Sequence, residues 1–305
     1  MSVIRVLRRA MACDFSIFVA GKDKAFLTDA ANEALDEIHR LDEQLSCFNP
    51  RSEVSFVNAN AAKGPVRVDP GLFELLRLAA EVHRDTGGAF DVTAGPLIDL
   101  WRSAEETGEE PSEKAIGEAL SKVGMARVVL DDSANSVAFA FDGVRINLGA
   151  IGKGYAVDRA VSVLSDYGIE SALVSGGGSS VRALGVQPDG EAWNIGIRHP
   201  SKTDERVATV PLANRAMATS GGVQQRDESV EERFEHIIDP VTGRPAEPNT
   251  VSVTVLAPSA ALADALSTAF YLRGKDLAEP YCEEHDDVSA IAVEESNGGF
   301  VTMSF

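Results

Sequence analysis

Short, largely apolar runs over residues 3–7 and 15–20 read as two short strands. From about Lys24 to Leu45 the apolar residues move to helical spacing. Asp69 and Pro70 form an N-cap and first-turn pair for a helix through Arg84, which the glycines at 87 and 88 end. A further helix is expected from Pro111 to Val123, then strands at 127–131 and 136–141 and a helix from Gly152 to about Tyr167. Strands follow near 171–175, 181–185, 193–198, 206–211, 233–238 and 250–257. Helices fill 260–284, and strands at 287–294 and 300–304 close the chain. The charged stretches 102–112, 200–206 and 225–232 read as exposed loops. Strands come in runs with scattered helices and no regular β-α-β alternation, so the pattern predicts an α+β fold, organised as one unit over 1–305.

Composition narrows the chemistry. The 305 residues are 44% hydrophobic, enough for a sizeable core, and carry 47 acidic against 28 basic side chains, a net charge of -19. Nucleic acid would meet a repulsive field. A phosphorylated small ligand would need local compensation from a metal ion, placed cations or helix N-termini. Cys13, Cys47 and Cys282 are too few and too far apart for a disulfide framework or a CxxC motif, which points to a reducing compartment. Arginines interrupt the N-terminal apolar run, Ala12-Cys13 is a poor lipoprotein cleavage site, and no apolar stretch is long enough to span a bilayer. The expected location is the cytoplasm.

Three segments carry candidate chemistry. In ADALST, Asp264, Ser267 and Thr268 stand at i, i+3 and i+4, one face of a helix. A carboxylate beside two hydroxyls suits Mg²⁺, although an Asp near a helix start also serves as a cap. INLGAIGKGYAVDRA (146–160) reads as strand, glycine-bearing turn and helix. Gly149, Gly152 and Gly154 allow close backbone approach, and Lys153 with the helix N-terminus favours an anion; a plain strand-to-helix turn is the alternative. In HIIDPVTGRP (236–245) a turn follows His236, which could accept a proton from an attacking hydroxyl or simply hold the turn. SGGGSS (175–180) suggests a tight backbone path between strands, and Met11, Phe48 and Trp101 default to core packing.

Taken in order, MACDFSI, GAFDVTAGPLIDLW, NLGAIGKGYAVDR, HIIDPVTGRP and ADALST resemble the ApbE family of flavin transferases over nearly the whole chain. The resemblance implies a mixed, mainly antiparallel α+β fold related to the T-fold, and Mg²⁺-dependent transfer of the FMN moiety of FAD to a Ser or Thr hydroxyl of a redox protein, with AMP leaving. It implies that Met11, Phe48, Ala89, Phe90, Asp91, Asn147, Lys153 and Ile238 line the FAD site. It likewise implies that Mg²⁺ is held by the Ala150 carbonyl and the side chains of Asp264, Ser267 and Thr268, and that His236 activates the acceptor hydroxyl. The chain departs from the family where Asn147 replaces a common Asp and where Gly178, Ser179 and Ser180 replace a Gly-Gly-Asp run. An FAD pyrophosphatase using the same metal site, or a flavin-binding protein without catalysis, are the alternatives.

Overall fold

The computed structural model describes residues 2–199, 205–221, 237–247, 250–296 and 299–305. Strands β1 (Ser2–Ala10) and β2 (Cys13–Gly21) form a hairpin, followed by α1 (Lys24–Leu45), α2 (Glu53–Asn60), β3 (Val66–Arg67), α3 (Pro70–Asp85), α4 (Gly95–Thr107) and α5 (Glu113–Leu120). Next come β4 (Val128–Asp131), β5 (Ser136–Phe139), α6 (Gly152–Asp166), β6 (Ala172–Gly176), β7 (Ser180–Leu184), β8 (Trp193–Arg198), β9 (Arg206–Leu212) and β10 (Ala216–Gly221). The chain ends with β11 (Thr250–Ala257), α7 (Ala260–Arg273), α8 (Lys275–Glu284), β12 (Ser289–Ser296) and β13 (Gly299–Ser304).

Eight strands make one sheet in the order β1-β2-β6-β7-β10-β11-β12-β13, antiparallel at every described pairing. Successive side chains point to opposite faces of a strand, so each central strand supplies two cores. Val174, Ala218 and Val255 join the main core with Leu35 and Ile38 of α1, Ala156 of α6 and Phe270 of α7. Leu173, Val181, Met217 and Leu256 face the other way, where Trp193, Ile197, Val210 and Leu212 of the β8-β9 hairpin cover them. A smaller sheet, β3-β5-β4, stands apart. Among the described residues no helix is long and apolar enough to cross a membrane.

The differences from the sequence reading have local causes. Helix α4 runs through the first half of the expected 102–112 loop, with buried Leu97, Trp101 and Ala104 on one face and its charges on the other, and stops at Gly108 in the left-handed region (φ 74). Helix α2 buries only Val54 and Val57, too weak a periodic signal to read. Strand β10, AMATSG, is almost wholly buried and therefore shows no alternation. Of the expected strand at 233–238, residues 233–236 lie outside the described residues, and Ile238 forms one antiparallel bridge to Pro245. The loops expected at 200–206 and 225–232 fall mostly outside the described residues as well. The SGGGSS segment is a β6-β7 hairpin whose turn places Gly177 and Gly178 at φ 61 and 71.

Candidate functional site

Helix α7 begins with Ser259, whose hydroxyl accepts the Leu262 N–H. Two more of the free N–H groups at this end go to a side chain of another helix: Asp158 of α6 accepts from Ala260 (2.8 Å) and Ala261 (2.9 Å) while pairing with Arg182 of β7 at 2.5 Å. The two helices touch closely. A Cβ added at Gly154 would lie 2.1 Å from the Ala260 carbonyl oxygen. Gly154 thus serves a helix crossing and does not face the cleft, whereas Gly149 lines it.

This crossing places Asp264 beside the turn that carries Lys153. The Asp264 carboxylate, 4% exposed, accepts the Gly154 N–H at 2.9 Å through one oxygen and the Ser180 hydroxyl at 3.3 Å through the other. Ser180 meets Asp264 as a hydrogen-bond donor. Behind Asp264, Ser267 and Thr268 both donate to its backbone carbonyl, at 2.9 and 3.3 Å. Ser220 of β10 stands across from them, its oxygen 2.8 Å from that of Ser267 and 3.2 Å from that of Thr268.

Asp264, Thr268 and Ser220 line a cleft of about 390 Å³. Its walls include Phe48, Ala89, Phe90, Asp91, Asn147, Ala150, Lys153, Ile238, Asp264 and Thr268, all of which the sequence had singled out. Asn147 donates its backbone N–H to Val92 and takes the Gly149 N–H on its side-chain oxygen at 2.8 Å, so the amide shapes the turn before α6. Asp91 is held by Thr93, through N–H and hydroxyl, and by His83 Nδ1 at 3.2 Å. The hydrogen bond to Asp91 raises the His83 pKa above its ordinary value against the opposing effect of burial.

Three expected site residues stand differently. Ser267 is fully buried and does not line the cleft. Met11 is also absent from the wall. It forms the β1-β2 turn with Ala12, both at positive φ (48 and 60), and its N–H is fixed by Asp42 at 2.8 Å. His236 lies outside the described residues. The turn that follows it is firmly held: Arg273, at the end of α7, makes two hydrogen bonds to Asp239 (2.8 and 3.0 Å), and the Trp101 indole N–H donates to the Gly243 carbonyl at 2.7 Å. Burial and an N–H partner explain Trp101 as a structural anchor.

Sequence reasoning missed Thr219, Ser220 and Arg102, which also line the cleft. Arg102 lies over the Phe48 ring, 4.0 Å from its centroid, at a position read as loop. Among the described residues the lining charges, Asp91 and Asp264 against Lys153 and Arg102, balance inside a strongly acidic protein.

The donors facing this cleft are oxygens. Among the described residues no group of three or more His, Cys, Asp or Glu side chains is placed to hold a metal ion. The Asp264 carboxylate and the Thr268 hydroxyl, with Ala150 also on the cleft wall, fit a hard cation that keeps water and shares substrate phosphates, and do not fit zinc.

A family model described as the ApbE family matches residues 11–292. The FAD:protein FMN transferase of Haemophilus influenzae is 31% identical over 92% of this chain and 84% of its own length, and that of Treponema pallidum is 33% identical over 85% and 76%. Among solved structures, an ApbE protein from Thermotoga maritima superposes with a TM-score of 0.87 at 30% identity, covering 98% of this chain and 96% of its own. The flavin transferase ApbE from Vibrio cholerae gives 0.84 at 27% identity over 99% and 97%.

Proposed function

The chain belongs to the ApbE family, and from that premise we infer that it transfers the FMN half of FAD to a hydroxyl of an acceptor protein. The observation that carries this reading is the convergence of four separated sequence motifs on one cleft, with Asp264 bonded to the backbone of the Lys153 turn. FAD needs a site with an apolar slot for a planar ring and a polar site for the diphosphate. Phe48, Phe90 and Ile238 supply the first, and Lys153, Asp264 and Thr268 the second.

In the reaction the acceptor oxygen bonds to the phosphorus of the FMN half, the P–O bond to the AMP half breaks, and AMP leaves. Lys153 offers charge to the diphosphate, and the turn from Asn147 to Gly149 shapes the wall beside it. His236 takes the proton from the acceptor hydroxyl. Mg²⁺, held by Asp264, Thr268 and the Ala150 carbonyl, would neutralise the diphosphate and favour departure of AMP. The acceptor is a redox protein that presents a Ser or Thr in a short exposed motif. Three free cysteines support a reducing, cytoplasmic setting.

The test is incubation with FAD, Mg²⁺ and a Thr-containing acceptor peptide, followed by mass spectrometry for the FMN adduct and an assay for AMP. Adduct and AMP in equal amounts are expected. AMP with free FMN and no adduct would make water the true acceptor and overturn the reading.

A further inference from the structure

The motif ADALST suggests three oxygens on one helix face, yet only two of the three reach the cleft. Ser267 is fully buried, and its hydroxyl is engaged by the Asp264 carbonyl at 2.9 Å and by Ser220 at 2.8 Å. Ser220 comes from the neighbouring strand, lines the cleft, and sits 3.2 Å from the Thr268 oxygen. We propose that Ser220 is the third side-chain oxygen of the cation and diphosphate site, and that Ser267 is a positioning residue which holds Ser220 from behind. The proposal rests on the magnesium-dependent transferase reading above.

The topology explains the placement. On β10 the residues Ala216, Ala218 and Ser220 share one face, and Ala216 and Ala218 belong to the main core beneath the helices. Ser180 pairs with Ala218 across β7 and β10, so it points the same way and reaches Asp264. Ser180 thus reaches the Asp264 carboxylate from one strand, while Ser220 on the next strand meets the hydroxyls of Ser267 and Thr268, which themselves donate to the Asp264 backbone carbonyl. Small side chains at 216 and 218 let α7 lie close, which brings Thr268 within reach of Ser220.

The spacing of these oxygens suits a shared cation as well as the hydroxyl pair itself. Ligands at adjacent corners of an octahedron with bonds of about 2.1 Å lie roughly 3 Å apart. The Ser220 to Thr268 separation, 3.2 Å, is close to that edge, and both residues line the cleft. Ser267, 2.8 Å from Ser220, has a suitable distance and no access.

The experiment measures how added Mg²⁺ changes FAD affinity, by flavin fluorescence, and the thermal midpoint, for wild type, Ser220→Ala, Ser220→Thr, Ser267→Ala and Asp264→Ala. For Ser220→Ala the Mg²⁺ concentration at half effect should rise about 10-fold, the weight of one hydrogen bond or ligand to a charged group. Ser220→Thr, which keeps an oxygen, should restore it. Ser267→Ala should shift it by less than about 3-fold, since of the two neutral hydrogen bonds it removes only one reaches Ser220. Asp264→Ala should show no Mg²⁺ response. A normal response in Ser220→Ala with a flat one in Asp264→Ala would overturn the Ser220 assignment alone. A larger defect in Ser267→Ala than in Ser220→Ala would return the ligand role to Ser267 and overturn it too. A normal response in Asp264→Ala would remove the metal site and this assignment with it. Thermal midpoints without Mg²⁺ separate loss of folding from loss of the site.

Discussion

Proton chemistry divides between two histidines with different tasks. His236 carries the proposed proton transfer, so His236→Ala should lower the rate of FMN transfer by about 10² to 10⁴ while FAD affinity stays within a few-fold. Calorimetric titration beside adduct kinetics checks this, and equal losses in both would mark the side chain as structural. His83 works at a distance. It holds Asp91 at 3.2 Å and takes a second contact, 3.1 Å, with the Phe90 carbonyl, and the bond to Asp91 raises its pKa. A histidine with a raised folded pKa adds stability that is complete below the ordinary value of about 6.5 and is lost as pH climbs through the raised one. His83→Ala should therefore lower stability by about 1 kcal/mol at pH 6 and by much less at pH 9, because the pair is partly exposed and its charge is gone at high pH. Unfolding curves of both proteins at the two pH values give the comparison; a gap that widens with pH would reverse the sign and exclude the charged pair.

The crossing of α6 and α7 fixes the site, and it rests on glycine and a shared cap. Gly154→Ala would drive a methyl group into the Ala260 carbonyl at 2.1 Å, a backbone contact that no rotamer change can relieve. At Gly152 the nearest atom to an added Cβ, on Leu148, is 3.8 Å away, ordinary contact. Urea unfolding should show Gly154→Ala destabilised by roughly 2 kcal/mol or more and Gly152→Ala by less than about 0.5 kcal/mol. Equal effects would contradict the crossing. Legibility in the sequence follows the same physics. The hairpin of β1 and β2 was readable as two apolar runs and the long helix α1 by its one core-facing stripe, and Asp264, Thr268 and Lys153 were readable as motifs. Ser220 and Arg102 were not. One sits on a strand buried on both faces, where alternation vanishes, and the other on a helix whose charged face resembled a loop. That Ser267 is buried against Ser220 was also not legible, because i, i+3 spacing identifies a shared helix face and leaves open which of its residues the neighbouring strand covers.

The molecule as a whole carries a charge of -19, yet its proposed ligand is an anion. Two ranges of electrostatics must be separated. Within the cleft, Lys153 and Arg102 accompany Asp91 and Asp264, so among the described residues the lining is close to neutral and short-range contacts set how long FAD stays. Beyond about 10 Å, the Debye length near 0.1 M salt, an arriving FAD meets the summed field of 47 carboxylates against 28 cations. That field is repulsive and acts on the rate of encounter. The association rate constant for FAD, measured by stopped-flow flavin fluorescence in chelator, should therefore rise as salt increases from about 20 to 200 mM, while dissociation changes little. A cation is drawn by the same field, so the Mg²⁺ concentration needed for half effect should rise over the same salt range. The two opposite signs come from one cause and must occur together. An FAD association rate that falls with salt would mean that a local positive funnel dominates the approach, and the balance of lining charges would then be the wrong description of this entrance.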